Sequence, residues 1–198
     1  GILMDRELTM RNQVNSVCQS TFYYLKNISR IRKFLTRSAT ESLIHALISS
    51  RLDYGNSLLT GIPSFLIKRL QSVQNAAAHV IFKRSKFDHI TPLLMELHWL
   101  PVHCRIRFKV LVLVYKALHG LAPSYLRDLI QVYTPSRSLR SSDDLLLRIP
   151  RSRLVSCGDR SFSCTAPRLW NSLPRDVRLS SSLSAFKSSL KRSEEHTS

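Results

Sequence analysis

The stretch from Leu97 to Leu126 reads LHWLPVHCRIRFKVLVLVYKALHGLAPSYL, and its conformation decides the fold of the chain around it. Apolar and basic residues alternate between positions 102 and 110, which is the period of a half-buried strand. Yet no glycine or proline interrupts the 18 residues between Pro101 and Gly120, a length well beyond that of an ordinary strand. Proline just inside the start and glycine just past the end are typical of helices. The stretch therefore predicts a helix between these two residues.

On this predicted helix, five apolar residues share the face that we expect to be buried: Ile106, Val110, Leu113, Val114 and Ala117. The basic residues Arg105, Lys109 and Lys116 lie towards another side of the same helix. The helix is thus predicted to be amphipathic, with an apolar face for the core and a basic face that remains accessible.

Apolar residues also recur at helical spacing before this stretch and predict three further helices. The apolar face of the first consists of Val14, Val17, Cys18, Thr21, Leu25 and Ile28. This helix is predicted to end near Leu35, because Ser38-Ala39-Thr40-Glu41 has the pattern of a capping box that begins a second helix. The predicted apolar face of the second helix consists of Leu43, Ala46, Leu47 and Ser50. After a break at Gly61-Ile62-Pro63, the third helix has its apolar face at Leu66, Leu70, Val73, Ala77, Val80 and Ile81.

The composition changes after Tyr133, where a short helix that opens at Pro123 is predicted to end. Residues 134–144 are rich in serine and arginine and predict an exposed linker. Trp99 and Trp170 are each flanked by leucine and proline, and we interpret both as buried anchors rather than as platforms for stacking on bases.

Beyond the linker, residues 145–149 and 159–164 are candidates for short strands, and residues 166–173 are predicted to form a helical turn that buries Trp170. A final helix carries Phe186 and Leu190. The predicted fold class is therefore mainly α, with a helical bundle-like core and a short, irregular Ser/Arg-rich C-terminal segment that includes the candidate β-strands.

The chain has 198 residues, of which 43% are apolar, and this is enough for a hydrophobic core. Its 30 Lys and Arg residues against 13 Asp and Glu residues give a net charge of +17. An excess of this size disfavours the compact state through self-repulsion, which a polyanionic partner offsets. Nucleic acid is the first candidate partner, and an anionic membrane surface is the second. No stretch reaches the roughly 18 uncharged apolar residues that a membrane span needs, so no membrane insertion is expected.

The basic residues are arranged rather than scattered. Lys26, Arg30 and Lys33 are spaced at i, i+4 and i+7 opposite the apolar face of the first helix, and Arg37 follows. Between Arg137 and Lys187 the chain contains no lysine, so its basic residues there are all arginines. The planar guanidinium group of arginine binds phosphate with two hydrogen bonds. The candidate nucleic-acid-binding residues are Lys26, Arg30, Lys33, Arg37, Arg105, Lys109, Arg137, Arg140, Arg151 and Arg153. A solvated helix face and a flexible solvated tail are the alternative interpretations of these two groups.

The residues that carry chemistry point to no catalytic or metal site. Asp143-Asp144 is the only Asp-Asp pair, and it follows two serines instead of the aromatic residue that precedes the carboxylates of a two-metal polymerase site. We interpret it as a helix or turn cap. His98, His103 and Cys104 lack the second cysteine pair of a zinc finger. The four cysteines stand at irregular spacing, which favours a reducing intracellular compartment, the nucleus or the cytoplasm, over a disulfide framework.

Five motifs together resemble the C-terminal part, the thumb and post-polymerase region, of the reverse-transcriptase polyprotein of LINE-type (non-LTR) retrotransposons. They are SRLDYGNSLLTGIP at 50–63, KRLQSVQNAAAHVI at 68–81, FDHITPLLMELHWLPVHCRIRFKVLVLVYKALHGLAPSYL at 87–126, SRSLRSSD at 136–143 and GDRSFSCTAPRLWNSLP at 158–174. The first five residues, GILMD, resemble the end of the motif that closes the polymerase palm. One departure is Gly55, where the family usually has cysteine, and a glycine weakens a helix by up to about 1 kcal/mol.

The resemblance implies four regions: residues 1–60 as thumb-like helices, 61–133 as a helical post-polymerase region, 134–191 as a Ser/Arg-rich C-terminal region, and 192–198 as a foreign end. The last seven residues, RSEEHTS, resemble the in-frame translation of a short-read sequencing adapter. The expectation is therefore a translated fragment whose upstream polymerase domain and natural end are both missing.

The implied function is a non-catalytic fragment that positions template RNA, or an RNA:DNA hybrid at nicked target DNA, for the missing upstream polymerase domain. No cofactor is expected in the fragment, and Mg²⁺ is expected only for that missing domain. Two alternatives stay open: a structural or protein-interaction helical module, and a degenerate transposon relic without activity.

Overall fold

The structure, a computed structural model, describes residues 1–135, 144–152 and 158–196. In chain order its helices are α1 (Arg11–Ile31), α2 (Arg37–Ile44), α3 (Ser50–Asp53), α4 (Ser64–Phe82), α5 (Ile90–Glu96), α6 (Val102–Leu118), α7 (Ser124–Asp128), α8 (Phe162–Asn171), α9 (Arg175–Arg178) and α10 (Leu183–His196). Short 3₁₀ turns follow α1 at Arg32–Phe34 and α3 at Asn56–Leu59, and a π-helical turn, His45–Ser49, joins α2 to α3. The chain is mainly helical, and this confirms the predicted fold class.

The chain forms two compact units, Gly1–Ile106 and Arg107–Ser198, each with its own hydrophobic core. The division falls within α6, whose first residues Val102 and Ile106 belong to the first core, whereas the second core takes residues from Val110 onward. The limits of these two units are defined by the packing of the chain and not by the sequence motifs. The four regions implied by resemblance, with limits at residues 60, 133 and 191, stay predictions.

The deciding stretch is a helix, as predicted. α6 begins directly after Pro101 and ends before Gly120, whose φ of 68° is left-handed and suits a residue without a side chain. The backbone N–H of Leu121 then donates to the carbonyl of Lys116 at 2.8 Å, which closes the helix end. The alternation at 102–110 was misleading because α6 is buried on several sides, so its apolar residues do not form one narrow stripe.

The prediction for the buried face of α6 is wrong at one residue. Leu113 is only half-buried, whereas its neighbour Leu111 is completely buried in the second core. Ile106, Val110, Val114 and Ala117 are buried as predicted.

In the first unit, α1 packs along α4. The predicted face of α1 is confirmed, since Val14, Cys18, Thr21, Leu25 and Ile28 are buried and Val17 packs against the same core. The predicted face of α4 is confirmed likewise, with only Val80 less than fully buried. Trp99 is half-buried against this core, and its ring meets that of His45 edge-on with centroids 5.6 Å apart.

The second helix differs from the prediction in its cap. The capping residue is Thr36, whose hydroxyl accepts a hydrogen bond from the Ala39 backbone N–H at 3.1 Å, so Ser38 lies inside the helix. The capping-box pattern at Ser38–Glu41 is therefore wrong by two residues, because a threonine two positions earlier offers the same hydroxyl acceptor.

The apolar face predicted for this helix is only partly right, since Leu43 and Leu47 pack half-buried against the first core. Ile44 and Ile48 are completely buried, whereas Ala46 and Ser50 are exposed. Two isoleucines at i and i+4 remove more apolar surface from water than an alanine and a serine do, so the packing follows them.

Gly55 lies outside any helix. It has a left-handed φ of 62° in the turn between α3 and the 3₁₀ turn Asn56–Leu59, and a Cβ there would collide with the side chain of Ile2. The expected weakening of a helix at this position is therefore wrong, because glycine supplies the turn conformation instead.

The second unit is built around Trp170, which is completely buried and donates its indole N–H to the carbonyl of Leu145 at 2.7 Å. Phe186 stacks on Tyr115 with ring centroids 4.5 Å apart, and both belong to the same core. The predictions that Trp170 is an anchor and that a final helix buries Phe186 and Leu190 are confirmed.

The candidate strands are reduced to a single bridge within the described residues. Val132 pairs with Leu147 in antiparallel fashion, and the Tyr133 N–H donates to the Leu146 carbonyl at 2.8 Å. Because residues 131–133 are extended for this pairing, α7 ends at Asp128 and not at Tyr133 as predicted. The candidate strand at 159–164 is wrong, since the chain turns there and α8 begins at Phe162.

Two further expectations meet the described residues only in part. The predicted linker at 134–144 lies mostly outside them. The last helix, α10, continues to His196 and thus includes residues of the segment that resembles an adapter. Across the described part of the chain, no helix combines the length and the apolar character needed to cross a bilayer.

Candidate nucleic-acid interface

The predicted basic stripe lies on the solvent side of α1 and of the 3₁₀ turn that follows it. Lys26, Arg30 and Lys33 are all exposed, because the opposite face of α1 is held against α4 by Leu25 and Ile28. None of the three cations forms an ion pair with an acidic side chain of the described residues. The structure therefore brings these three predicted residues together as an uncompensated positive surface.

Arg32, between the exposed residues of this stripe, has a different role. It is 9% exposed, and its guanidinium donates to the carbonyls of Val80 and Ile81 at 2.9 and 2.7 Å and to that of Leu35 at 2.8 Å. The first two carbonyls lie in the last turn of α4, where the helix leaves backbone oxygens without an intrahelical partner. A cation near the C-terminal end of a helix also interacts favourably with the helix dipole. Arg32 thus fixes the end of α4 against the 3₁₀ turn.

An open groove of about 510 Å³ lies between these two elements, and we call it the basic groove. Its lining residues are Ser29, Arg32, Lys33, Ala76, His79, Val80, Lys83, Arg84 and Lys86. No acidic residue lines it, and Lys33, Lys83, Arg84 and Lys86 are all exposed. His79 is half-buried, and its Nδ1 has no hydrogen-bond partner among the described residues. The groove therefore presents cations on both walls.

The wall formed by the end of α4 holds a strained residue. Lys83 has a left-handed φ of 54°, a conformation that glycine usually adopts at this position after a helix. The Arg84 N–H donates to the carbonyl of His79 at 3.0 Å, which closes the helix in the usual way for this conformation. A lysine in place of glycine costs about 1–2 kcal/mol here.

Two phenylalanine rings stand beside the groove in solvent. Phe34 is 78% exposed and Phe87 is 84% exposed. The ammonium group of Lys33 lies 4.8 Å from the centroid of the Phe34 ring, and that of Lys86 lies 5.0 Å from the centroid of the Phe87 ring. Each of these two groove lysines therefore contacts an exposed ring that stands just outside the lining of the groove.

The sequence contained a signal for the second wall that was not used. Residues 83–87 read KRSKF, a basic run that ends in an aromatic residue directly after α4. The one acidic residue close by in sequence, Asp88, accepts a hydrogen bond from the Ser85 backbone N–H at 3.2 Å.

Two predicted binding residues have protein partners. Arg37 pairs with Glu41 and Glu96, with N–O distances of 2.7 and 2.6 Å, and its guanidinium lies over the ring of Phe82. The hydrogen bonds that Arg37 donates to Glu41 and then to Glu96 raise the pKa of Arg37 above its usual value. Arg105 donates from its Nε and one terminal nitrogen to the two carboxylate oxygens of Asp53. Both arginines are therefore held by carboxylates within the first unit.

The remaining predicted residues are placed as follows. Lys109 is exposed on α6, and Arg151 is exposed in the second unit. Arg137, Arg140 and Arg153 lie outside the described residues.

Acidic, histidine and cysteine side chains form no group of three or more that could hold a metal ion in the described ranges. Asp144 pairs with Arg175 at 2.9 Å, and Asp143 lies outside those ranges. His103 and Cys104 contact each other at 3.2 Å. Burial raises the pKa of the Cys18 thiol, which keeps it protonated and unreactive.

Comparison of the chain with protein-family models, with curated proteins and with solved structures gave no match.

Proposed function

We propose that this chain is a non-catalytic nucleic-acid-binding segment of a retrotransposon-type reverse transcriptase, in which it positions template RNA or an RNA:DNA hybrid for a polymerase domain of the parent protein. The supporting observation is the uncompensated positive surface of the first unit, formed by the basic stripe and the basic groove. The motifs that resemble LINE-type polyproteins support the more specific role.

The physical reason is the release of counterions. Nucleic acid holds a condensed layer of cations, and each lysine or arginine that neutralises a phosphate releases part of that layer. A cation already paired with a carboxylate gains less from such a contact, as is the case for Arg37 and Arg105. Lys26, Arg30 and Lys33 have no such partner among the described residues, so they are the better phosphate ligands.

The partners that follow from this proposal are RNA or an RNA:DNA hybrid, the target DNA and the polymerase domain. The role places the protein where transcripts and genomic DNA are available, in the nucleus or the cytoplasm. Mg²⁺ acts in the polymerase domain and not in this segment.

The test is the salt dependence of binding to a labelled RNA:DNA hybrid. Each phosphate contact contributes about 0.7 to 0.9 to the slope of log affinity against log salt. Replacing Lys26, Arg30 and Lys33 together by alanine is expected to flatten the slope by roughly two to three units. The melting temperature should hardly change, because exposed charges contribute little to stability.

A matched control removes the same amount of charge elsewhere. Arg6, Arg127 and Lys187 are exposed and do not line the basic groove. Their replacement by alanine lowers the net charge equally and should leave the slope within about one unit of the original. Equal slopes for the two triple variants would show that only net charge matters and would remove the stripe from the interface.

The runner-up function is a protein-interaction module whose basic faces only keep it dispersed. It predicts that neither triple variant changes the salt dependence, because no phosphate contacts are made.

A further inference from the structure

The basic groove differs from a surface that merely attracts polyanions, because it combines cations with exposed aromatic rings. Phe34 and Phe87 have larger exposed fractions than any other large apolar residue of the described chain. Each ring stands beside a lysine that lines the groove, on opposite walls. An exposed ring gains stability when a flat, apolar partner covers its face.

A nucleic-acid base can cover the face of such a ring only when it is not already stacked within a duplex. In paired strands, the faces of the bases already stack on one another, so they are not accessible to a surface ring. Proteins that hold single strands use a positively charged groove along the backbone together with aromatic side chains on which bases stack. Both features meet at the basic groove.

The groove is also built to keep its shape. Arg32 ties the end of α4 to the 3₁₀ turn through the carbonyls of Val80 and Ile81, so the two walls are held at a fixed separation. Lys83 stays on the rim in a left-handed conformation that glycine would adopt without strain. Strain of this kind persists where the surrounding structure holds it, and it is frequent at binding sites.

We infer that the basic groove binds an unpaired strand of nucleic acid, with the phosphates on Lys33, Lys83, Arg84 and Lys86 and with bases stacked on Phe34 and Phe87. This inference rests on the proposed function and narrows it, since that function alone is satisfied by a duplex or a hybrid.

The test compares four labelled probes of equal length with the full chain: oligouridine, oligothymidine, a DNA duplex and an RNA:DNA hybrid. The central variant is Phe34→Leu with Phe87→Leu, which removes both rings and keeps apolar bulk. Both side chains are exposed, so the fold should be unaffected, and circular dichroism checks this. The matched control is Phe65→Leu with Tyr125→Leu, two exposed aromatic residues that contact none of the lysines of the groove.

The expected result is tighter binding of the two single strands than of the two paired probes. The ring variant should lose at least about tenfold in affinity for single strands, because two stacking contacts, each contributing about fivefold or more, are lost together. Its salt slope should stay the same, since no charge is removed. The control variant should bind as the original chain does. The oligouridine and oligothymidine arms show which kind of strand is held more tightly.

Three outcomes would overturn the inference in distinguishable ways. If the chain binds nucleic acid but the ring variant binds single strands equally well, the inference fails and the proposed function stands. If no probe binds, both fail together. If polyglutamate of equal charge displaces oligouridine as efficiently as unlabelled oligouridine does, the groove is a site for acidic protein and not for an unpaired strand.

Discussion

Arg32 and Lys33 are neighbours of equal charge whose surroundings give them opposite roles. The first is buried and donates three hydrogen bonds to carbonyls, and the second is exposed on the groove wall. Arg32→Ala should lower the free energy of unfolding of the first unit by about 2–4 kcal/mol, because buried carbonyls lose charged donors. Lys33→Ala should change it by less than about 0.5 kcal/mol. Urea unfolding followed by circular dichroism measures both values.

Arg32→Lys is the control for this pair, since an ammonium group keeps the charge but cannot reach three carbonyls in the same planar arrangement. It should lie between the other two variants. Equal stability of Arg32→Ala and Lys33→Ala would contradict the assigned role of Arg32.

Lys83 offers a second test at the scale of one residue. Lys83→Gly relieves the strain of the left-handed backbone, which is about 1–2 kcal/mol. It also raises the conformational entropy of the unfolded chain, which lowers stability by about 0.4–1 kcal/mol. The variant should therefore be more stable by about 0.5–1 kcal/mol and should bind nucleic acid more weakly. Lys83→Ala removes the same charge and keeps the strain, so it should bind equally weakly without the gain in stability. A loss of stability in the glycine variant would show that the rim is not strained.

At the scale of elements, α6 gives the sharpest contrast between adjacent faces. Leu111 is completely buried in the second core, and Leu113 is half-buried outside it. Leu111→Asp should unfold the second unit, because an unpaired buried carboxylate costs several kcal/mol and a domain has about 5–15 kcal/mol of stability. Leu113→Asp should leave it folded. Hydrogen exchange in α8 and α10 reports the difference, and similar protection in the two variants would contradict this assignment.

The elements also show what the sequence can predict. Helices bounded by strong signals were predicted well, as with Pro101 and Gly120 around α6, because these residues act through the local backbone. The apolar face of the second predicted helix was only partly right, because Leu43 and Leu47 pack half-buried against the core whereas the neighbouring Ile44 and Ile48 are buried completely. The sequence carries apolar residues on both faces, and only tertiary packing decides which is buried more deeply. The candidate strand at 145–149 became one bridge, since its pairing depends on a distant segment around Val132.

The candidate site shows the same limit at the scale of the whole molecule. The stripe on α1 was predicted because its residues recur at helical spacing within one element. The basic groove was not predicted, because its walls lie some 50 residues apart in sequence, as the Arg32–Val80 hydrogen bond shows, and only the packing of α1 on α4 brings them together. Arg105 was predicted as a phosphate ligand because its partner Asp53 is 52 residues away in sequence. For Arg37, the i+4 spacing to Glu41 was a usable signal, whereas its second partner, Glu96, is 59 residues away.

The proposal for the whole molecule also predicts what it does not do. The purified chain should not extend a primer on an RNA template with Mg²⁺ and deoxynucleotides, because two-metal nucleotidyl transfer needs clustered carboxylates. Primer extension in gel assays, with heat-treated protein as the control, measures this. Activity that follows the protein through a sizing column would contradict the non-catalytic role.

The chain contains two tryptophans, and the fold places one in each compact unit. Trp99 is half-buried against the first core, and Trp170 is completely buried in the second with its indole N–H bound to a carbonyl. Each unit therefore carries its own intrinsic fluorophore, and the two differ in their access to water. In a Trp170→Phe variant, tryptophan fluorescence comes from Trp99 and reports on the first unit alone. In a Trp99→Phe variant it comes from Trp170 and reports on the second unit alone. The melting of either unit can then be followed in the intact chain without a label.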